Sequence, residues 1–262
     1  MPLTLTISQA YPALGVSQCW RGVSIGSVAE FDVYLRGPVK DRVNDTAFET
    51  DFAQDLQALA TTQMATDTLE SLLNDTDPPL DWEIGEAMAE CLLHDELGAT
   101  WPWNENRDKK MRKASLPGAD IVGFYGEGDE TIFLFGEVKT SSHADNPPGV
   151  MNGRSGLAHQ IDTLVTNKKN QFDLIKWLNA RCQSAEFRPR YMTAAARFLA
   201  SKGTDFAVVG VLLRDTAAHP DDLRTRGEKF GVGPAQPVVR LDAWYTPRPI
   251  SEWVGVVSAP AP

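Results

Sequence analysis

Two runs of strand-forming residues stand out in the middle of the chain. Asp120-Ile121-Val122-Gly123-Phe124 and Thr131-Ile132-Phe133-Leu134-Phe135 flank the polar, glycine-bearing stretch Gly126-Glu127-Gly128-Asp129-Glu130. Two such runs around a loop of about five residues predict a β-hairpin. With the turn centred between Gly128 and Asp129, the numbers of facing residues sum to 257, which sets Asp120 opposite Glu137. Side chains alternate along a strand, so Glu137 and Lys139 share one face and Val138 takes the other. A register displaced by one residue would send the two acids to opposite faces instead.

The same reading organises the rest of the chain. Thr4-Leu5-Thr6-Ile7 and Phe31-Asp32-Val33-Tyr34-Leu35 alternate with period two and predict strands, the second ended by Gly37-Pro38. From Thr46 to Leu73 the pattern is helical, with Phe52, Leu56, Leu59 and Ala60 on one face. Asn74-Asp75-Thr76-Asp77-Pro78-Pro79 breaks the pattern and sets a boundary. A helix is expected from Asp81, its N-cap, to Leu93; Ile84, Ala87, Met88, Cys91 and Leu92 form its core side. Glu83, Glu86 and Glu90 make a narrow charged stripe that either faces water or, at Glu86, borders a cleft. One helix is expected over 157–178, burying Ile161, Leu164, Leu174, Ile175 and Leu178, and another over 191–202. The continuous apolar run 206–213 predicts a strand buried on both faces, completing a central sheet. Residues 237–244 alternate as an edge strand or part of a C-terminal extension. The expected organisation is α/β: an acidic N-terminal α+β region over 1–80, a core over 81–215, and an extension over 216–262 ending in a Pro/Ala tail.

Composition narrows the class. The 262 residues are 42% hydrophobic and 23% charged, as in ordinary globular proteins. No stretch approaches the 18 or so apolar residues of a membrane span, and MPLTLTISQA lacks the basic start and apolar core of a secretory signal. Cys19, Cys91 and Cys182 are scattered, which argues against a disulfide framework and a zinc ribbon. A cytoplasmic, reduced protein is expected. His94, His143, His159 and His219 form no H-x-x-x-H pair. The net charge of −10 is unevenly spread. Residues 1–86 hold 14 Asp or Glu against 4 Lys or Arg, leaving 21 of each beyond them from totals of 35 and 25. The acidic third is either a solvated surface or one that meets a basic partner or keeps nucleic acid away.

Candidate chemistry centres on the hairpin. Two carboxylates facing each other with about 5 Å between Cβ atoms repel unless something positive sits between them. A divalent cation and Lys139 are the two candidates. Asp108-Lys109-Lys110 has the same D-x-K spacing but no strand beneath it. It belongs to a basic run, in which Lys109, Lys110, Arg112 and Lys113 adjoin Trp101 and Trp103. Cations beside indoles suit nucleic acid, through phosphate contact and base stacking, though such runs are often plain solvated faces. Lys168 and Lys169 add a second basic point. His143 reads as a surface residue rather than a ligand.

Asp120 followed by Glu137-Val138-Lys139 at the end of an apolar strand resembles the PD-(D/E)xK nuclease superfamily, with Gly118-Ala119-Asp120 in place of Pro-Asp. The resemblance covers about 81–215 and implies a restriction-endonuclease-like fold, a mixed central sheet flanked by helices. It implies that Asp120 and Glu137 bind Mg²⁺, for which Mn²⁺ substitutes, with the Val138 carbonyl as a third ligand. Lys139 would position or activate the attacking water. Gly85-Glu86 resembles the first-helix Glu of many of these nucleases, making Glu86 a further metal-site carboxylate, with Glu83 or Glu90 as the fallbacks. Gln160 resembles the Gln carried after E-x-K in RecB-like branches, although Leu164 stands where the Tyr of Q-x-x-x-Y belongs. The implied activity is that of a Mg²⁺-dependent deoxyribonuclease.

The acidic N-terminal region, the W-x-x-G-E of Trp82 to Glu86, Gly118-Ala-Asp-Ile-Val-Gly-Phe124 and Gly136-Glu-Val-Lys-Thr-Ser-Ser142 together resemble the nuclease subunit of Hachiman-type bacterial phage defence. That resemblance implies a role in antiviral defence beside a helicase (ATPase) partner that restrains the nuclease, with the acidic third facing it. Two readings from other classes stay open. One is a catalytically silent module that keeps the fold to bind nucleic acid; the other is an interaction protein in which Lys139 merely salt-bridges Glu137 and Asp120.

Overall fold

A six-stranded mixed sheet organises the computed structural model, which describes residues 5–11, 18–74, 77–110, 117–229 and 237–259. The chain begins with β1 (Ile7–Tyr11) and β2 (Gln18–Ile25), then the helices α1 (Val28–Tyr34), α2 (Lys40–Asn44), α3 (Thr46–Leu59), α4 (Gln63–Asn74) and α5 (Asp81–Leu97). The hairpin strands β3 (Ile121–Tyr125) and β4 (Ile132–Ser141) follow, then α6 (Leu157–Thr166), α7 (Lys168–Arg181) and α8 (Phe187–Ala200). Last come β5 (Ala207–Arg214), α9 (Arg224–Gly227), β6 (Val238–Tyr245) and α10 (Trp253–Ser258).

The strand order is β1-β2-β6-β5-β4-β3. β4, β5, β6 and β2 run parallel, and β3 and β1 close the two edges antiparallel to their neighbours. The sheet thus draws strands from the first, middle and last stretches of the chain. Alternate residues feed two cores. Leu134, Val138, Val209 and Trp244 pack with α1, α5 and α10 on one face; Phe133, Phe135, Leu212 and Leu241 pack with α6, α7 and α8 on the other. Among the described residues no helix is long and apolar enough to cross a membrane.

Several expectations hold. The hairpin pairs Ile121 with Gly136 through Tyr125 with Ile132, the register in which facing numbers sum to 257. β5 is buried along its whole length between β4 and β6. Ile84, Ala87, Met88 and Leu92 line the buried side of α5.

Others are corrected. Phe31 to Leu35 is helical rather than a strand, because Phe31, Tyr34 and Leu35 also recur at i, i+3, i+4 and are fully buried in that spacing. The Ser27 side chain caps α1 by accepting from the Glu30 N–H at 3.3 Å. Gly37-Pro38 kinks the helical path rather than ending it. The segment after Thr46 is two helices broken at Ala60 to Thr62, with the Thr62 hydroxyl accepting from Ala65 N–H at 3.2 Å; no residue of α3 is buried. Leu80, not Asp81, takes the cap position of α5, and Glu83 reaches back to accept the Leu80 N–H at 2.9 Å. Asn167 divides the helix expected over 157–178. β6 lies inside the sheet between β2 and β5, not at an edge. Its polar residues survive there because Asp242 is held by Arg240 (2.8 Å) and by Arg21 of β2 (3.1 Å).

Candidate active site

The site opens where β3 stops and β4 runs on. The ladder ends at Ile121–Gly136, while β4 continues to Ser141, so its last five residues have no strand on that side. Asp120 fills part of the gap: its Oδ2 accepts the Val138 N–H at 2.8 Å, in place of a strand carbonyl. In an antiparallel pair a residue's N–H and C=O point to the same neighbour, so the Val138 carbonyl is directed at this open edge too.

Glu137 and Lys139 share the sheet face of Phe133 and Phe135, and Asp120 faces Glu137 one pair beyond the ladder. Lys139 Nζ stands 3.4 Å from Glu137 Oε2 and 3.8 Å from Asp120 Oδ2. Glu137 is only 3% exposed; burial first, then Asp120, push its carboxyl up to about 9, with Lys139 opposing.

Glu86 arrives from the other face of the sheet. Gly85 makes this approach possible: a Cβ there would lie 2.5 Å from Thr140 Cγ2, so only glycine lets α5 come this close to β4. Glu86 then lines a cleft of about 290 Å³ with Trp82, Glu105, Asp120, Val138 and Lys139. Burial and the charge of Asp120 push Glu86 up to about 8, with Lys109 opposing. Its stripe neighbours are engaged elsewhere. Glu83 holds Lys109 at 3.1 Å, and Glu90 pairs with Arg42 at 2.7 Å. The stripe therefore does not face water; of the three, Glu86 is the acid in the cleft.

Sequence reasoning missed Glu105. It lies on a short 3-10 turn, Glu105–Asp108, pinned at every other residue. Asn106 Nδ2 donates to the Val43 carbonyl (2.9 Å), Arg107 pairs with Asp45 (2.8 Å), and Asp108 accepts from Arg181 (2.7 Å) and Trp177 (2.9 Å). Asn104 fixes the turn's start through Nδ2 to the Arg42 carbonyl at 2.7 Å. Glu105 is left facing the cleft, where burial and then Glu90 and Glu86 hold its carboxyl well above the usual range. The contacts that hold its turn reach up to 73 residues along the chain, as from Asp108 to Arg181, so no local signal marked it.

The expected basic contacts fare differently. Lys109 has a buried side chain, paired with Glu83 and lying 4.9 Å from the Trp82 ring centroid, so it is a member of the cleft wall rather than a free phosphate contact. Lys110, Lys168 and Lys169 are exposed, with Lys168 Nζ donating to the Lys202 carbonyl at 3.2 Å. Arg112 and Lys113 lie outside the described residues. Gln160 is on the same side of α6 as Leu157, Ile161 and Leu164, which packs on the Glu137 face of the sheet; its Oε1 is buried without a hydrogen-bond partner. His143 is exposed beside Asp145.

The donor set of Asp120, Glu137, Glu86 and the Val138 carbonyl is all oxygen, which suits a hard cation. Among the described residues no three His, Cys, Asp or Glu are gathered as a ready-made metal cluster. A Mg²⁺ site needs only one or two carboxylates, the remaining positions going to water. No protein-family model matches the chain, and no curated protein is significantly similar to it.

Proposed function

We propose that the chain is a Mg²⁺-dependent deoxyribonuclease of the PD-(D/E)xK class. What carries the reading is a gathering of acids: Glu86, Glu105 and Asp120 line a cleft with Lys139, Glu137 stands beside Lys139, and among the described lining residues Lys139 is the cation not committed elsewhere, since Lys109 is bound to Glu83. Acids that ionise poorly beside one another become good ligands once a divalent cation joins them. Asp120, Glu137 and the Val138 carbonyl would hold it, with Glu86 on the far wall.

Phosphodiester hydrolysis needs a nucleophilic water and stabilisation of charge on the phosphate. Mg²⁺, when bound, supplies Lewis-acid polarisation of the phosphate and lowers the pKa of water. Lys139 has three N–H donors, and its place beside both acids lets it orient the water and meet charge developing on the phosphate oxygens. Asp120 keeps the edge of β4 open by occupying the Val138 N–H, so a backbone phosphate can approach where a strand would otherwise pair. Following the resemblance of its sequence to Hachiman-type nuclease subunits, we further propose cytoplasmic action in phage defence under the control of a helicase partner.

A competing reading rests on the 3.4 and 3.8 Å contacts of Lys139, which would also suit a purely structural salt-bridged triad. Cleavage of plasmid and single-stranded DNA by the purified protein, with Mg²⁺ or chelator, separates the two. Metal-dependent cutting is expected, with a loss of at least about 100-fold in Lys139→Ala while DNA binding persists. Absence of both cutting and Mn²⁺ binding, with Asp120→Ala indistinguishable from wild type in Mn²⁺ titration, would sink the proposal in favour of the triad.

A further inference from the structure

The helical pair α3–α4 carries apolar side chains that the core does not use. Phe48, Phe52 and Leu59 follow i, i+4, i+11 and lie within an arc of about 40° on α3. Leu59 is 75% exposed, and Met64 and Leu72 of α4 are 78% and 67% exposed. Single exposed apolar residues are ordinary, but several large ones on one helical pair mark a surface made to be covered. The base of the pair adds a groove of about 630 Å³, lined by Val43, Phe48, Leu73 and Pro79, with Glu49 among its polar residues.

Charge says what covers it. Residues 46–74 contain Glu49, Asp51, Asp55, Asp67 and Glu70 and not one Lys or Arg. The groove's own cations are neutralised, Arg107 by Asp45 and Lys109 by Glu83. A second copy meeting the same face would set acid against acid, and phosphates would be repelled. The complementary surface is apolar and bordered by cations.

We infer that α3–α4, with the groove at its base, docks a protein partner through an apolar segment bordered by lysine and arginine side chains. The inference is independent of the nuclease proposal. It also places the partner close to the carboxylate cleft, because Lys109 lines both the groove and the cleft.

The test uses the full chain and two fluorescent amphipathic helical peptides, each with a leucine face, one bordered by lysines and the other by glutamates. The lysine peptide is expected to bind saturably and the glutamate peptide not to bind. Leu59→Asp adds negative charge while removing an apolar contact. It should weaken the lysine peptide at least about ten-fold, whereas attraction by charge alone would strengthen it. Asp51→Lys with Asp55→Lys should weaken the lysine peptide and admit the glutamate one. No residue of α3 is buried, so these variants should keep the wild-type thermal transition. Equal binding of the two peptides would overturn the inference, as would tighter binding to Leu59→Asp. So would a sedimenting dimer that Leu59→Asp dissociates, since that assigns the face to a second copy.

Discussion

Glu137 holds a proton at pH values where a carboxyl in water has lost it. Its carboxyl moves from 4.5 to about 9 because burial and the neighbouring Asp120 both penalise the ionised form. The unfolded chain releases that proton near 4.5, whereas the folded chain keeps it until about 9. Between these values the folded state binds more protons, so stability falls as pH rises. In chelator, urea unfolding should therefore show a loss of stability from about pH 5 to pH 9. Glu137→Gln should flatten that slope and raise stability at pH 8 by about 1–3 kcal/mol. Saturating Mn²⁺ should stabilise the wild type increasingly with pH, because the ion competes with protons, and should do little for the variant. A pH slope unchanged in Glu137→Gln would show that the proton resides elsewhere. This juxtaposition was readable from sequence, since a hairpin turn fixes the register and thereby the face of Asp120, Glu137 and Lys139. The fate of Lys109 was not. It sits in a basic run like any other until the fold brings Glu83, 26 residues upstream, against it.

At the scale of elements, the site depends on how closely α5 lies on β4. A methyl at position 85 would stand 2.5 Å from Thr140 Cγ2. Gly85→Ala gains about 1 kcal/mol of helix propensity, yet overpacking of this kind costs about 1–3 kcal/mol and shifts the helix that carries Glu86. Net destabilisation is expected in urea titration. Thr140→Ser deletes the obstructing methyl and should recover most of the loss in the double variant, a coupling that a double-mutant cycle measures directly. Additive effects of the two changes would mean that α5 is positioned by other contacts. The pairing of Gly85 with Glu86 was visible in the sequence as a motif, but its reason is the Thr140 methyl on a strand more than 50 positions later. Periodicity failed where one pattern served two elements. Phe31-Asp-Val-Tyr-Leu35 alternates like a strand and also fits a helical i, i+3, i+4 face, and only the packing of Phe31 and Tyr34 decides between them.

For the whole molecule, the consequential feature is the place of β6. A strand from residues 238–245 sits between β5 and β2, so this late stretch joins the N-terminal strands to the sheet of the β3–β4 hairpin. Sequence order gave no hint of this, since parallel pairing of β6 with both neighbours joins residues up to 221 positions apart, as the Arg21–Asp242 contact shows. The consequence is asymmetric. The α3–α4 pair contributes little to the buried core, with Leu69, at 8% exposure, its one buried apolar residue among the described ones. β6 and α10 contribute Leu241, Trp244, Trp253 and Val257, each almost wholly enclosed. A chain ending at Glu228 would strip β5 and β2 of a shared neighbour and expose two backbone edges together with both cores. It should lose its cooperative thermal transition and bind hydrophobic dye. By contrast, Leu59→Asp should leave the melting temperature within about 2 °C of wild type, as expected for a surface change of under 0.5 kcal/mol. A cooperative melt in the shortened chain would mean that 81–215 folds without β6, and that the sheet's far half is an addition to a self-sufficient core.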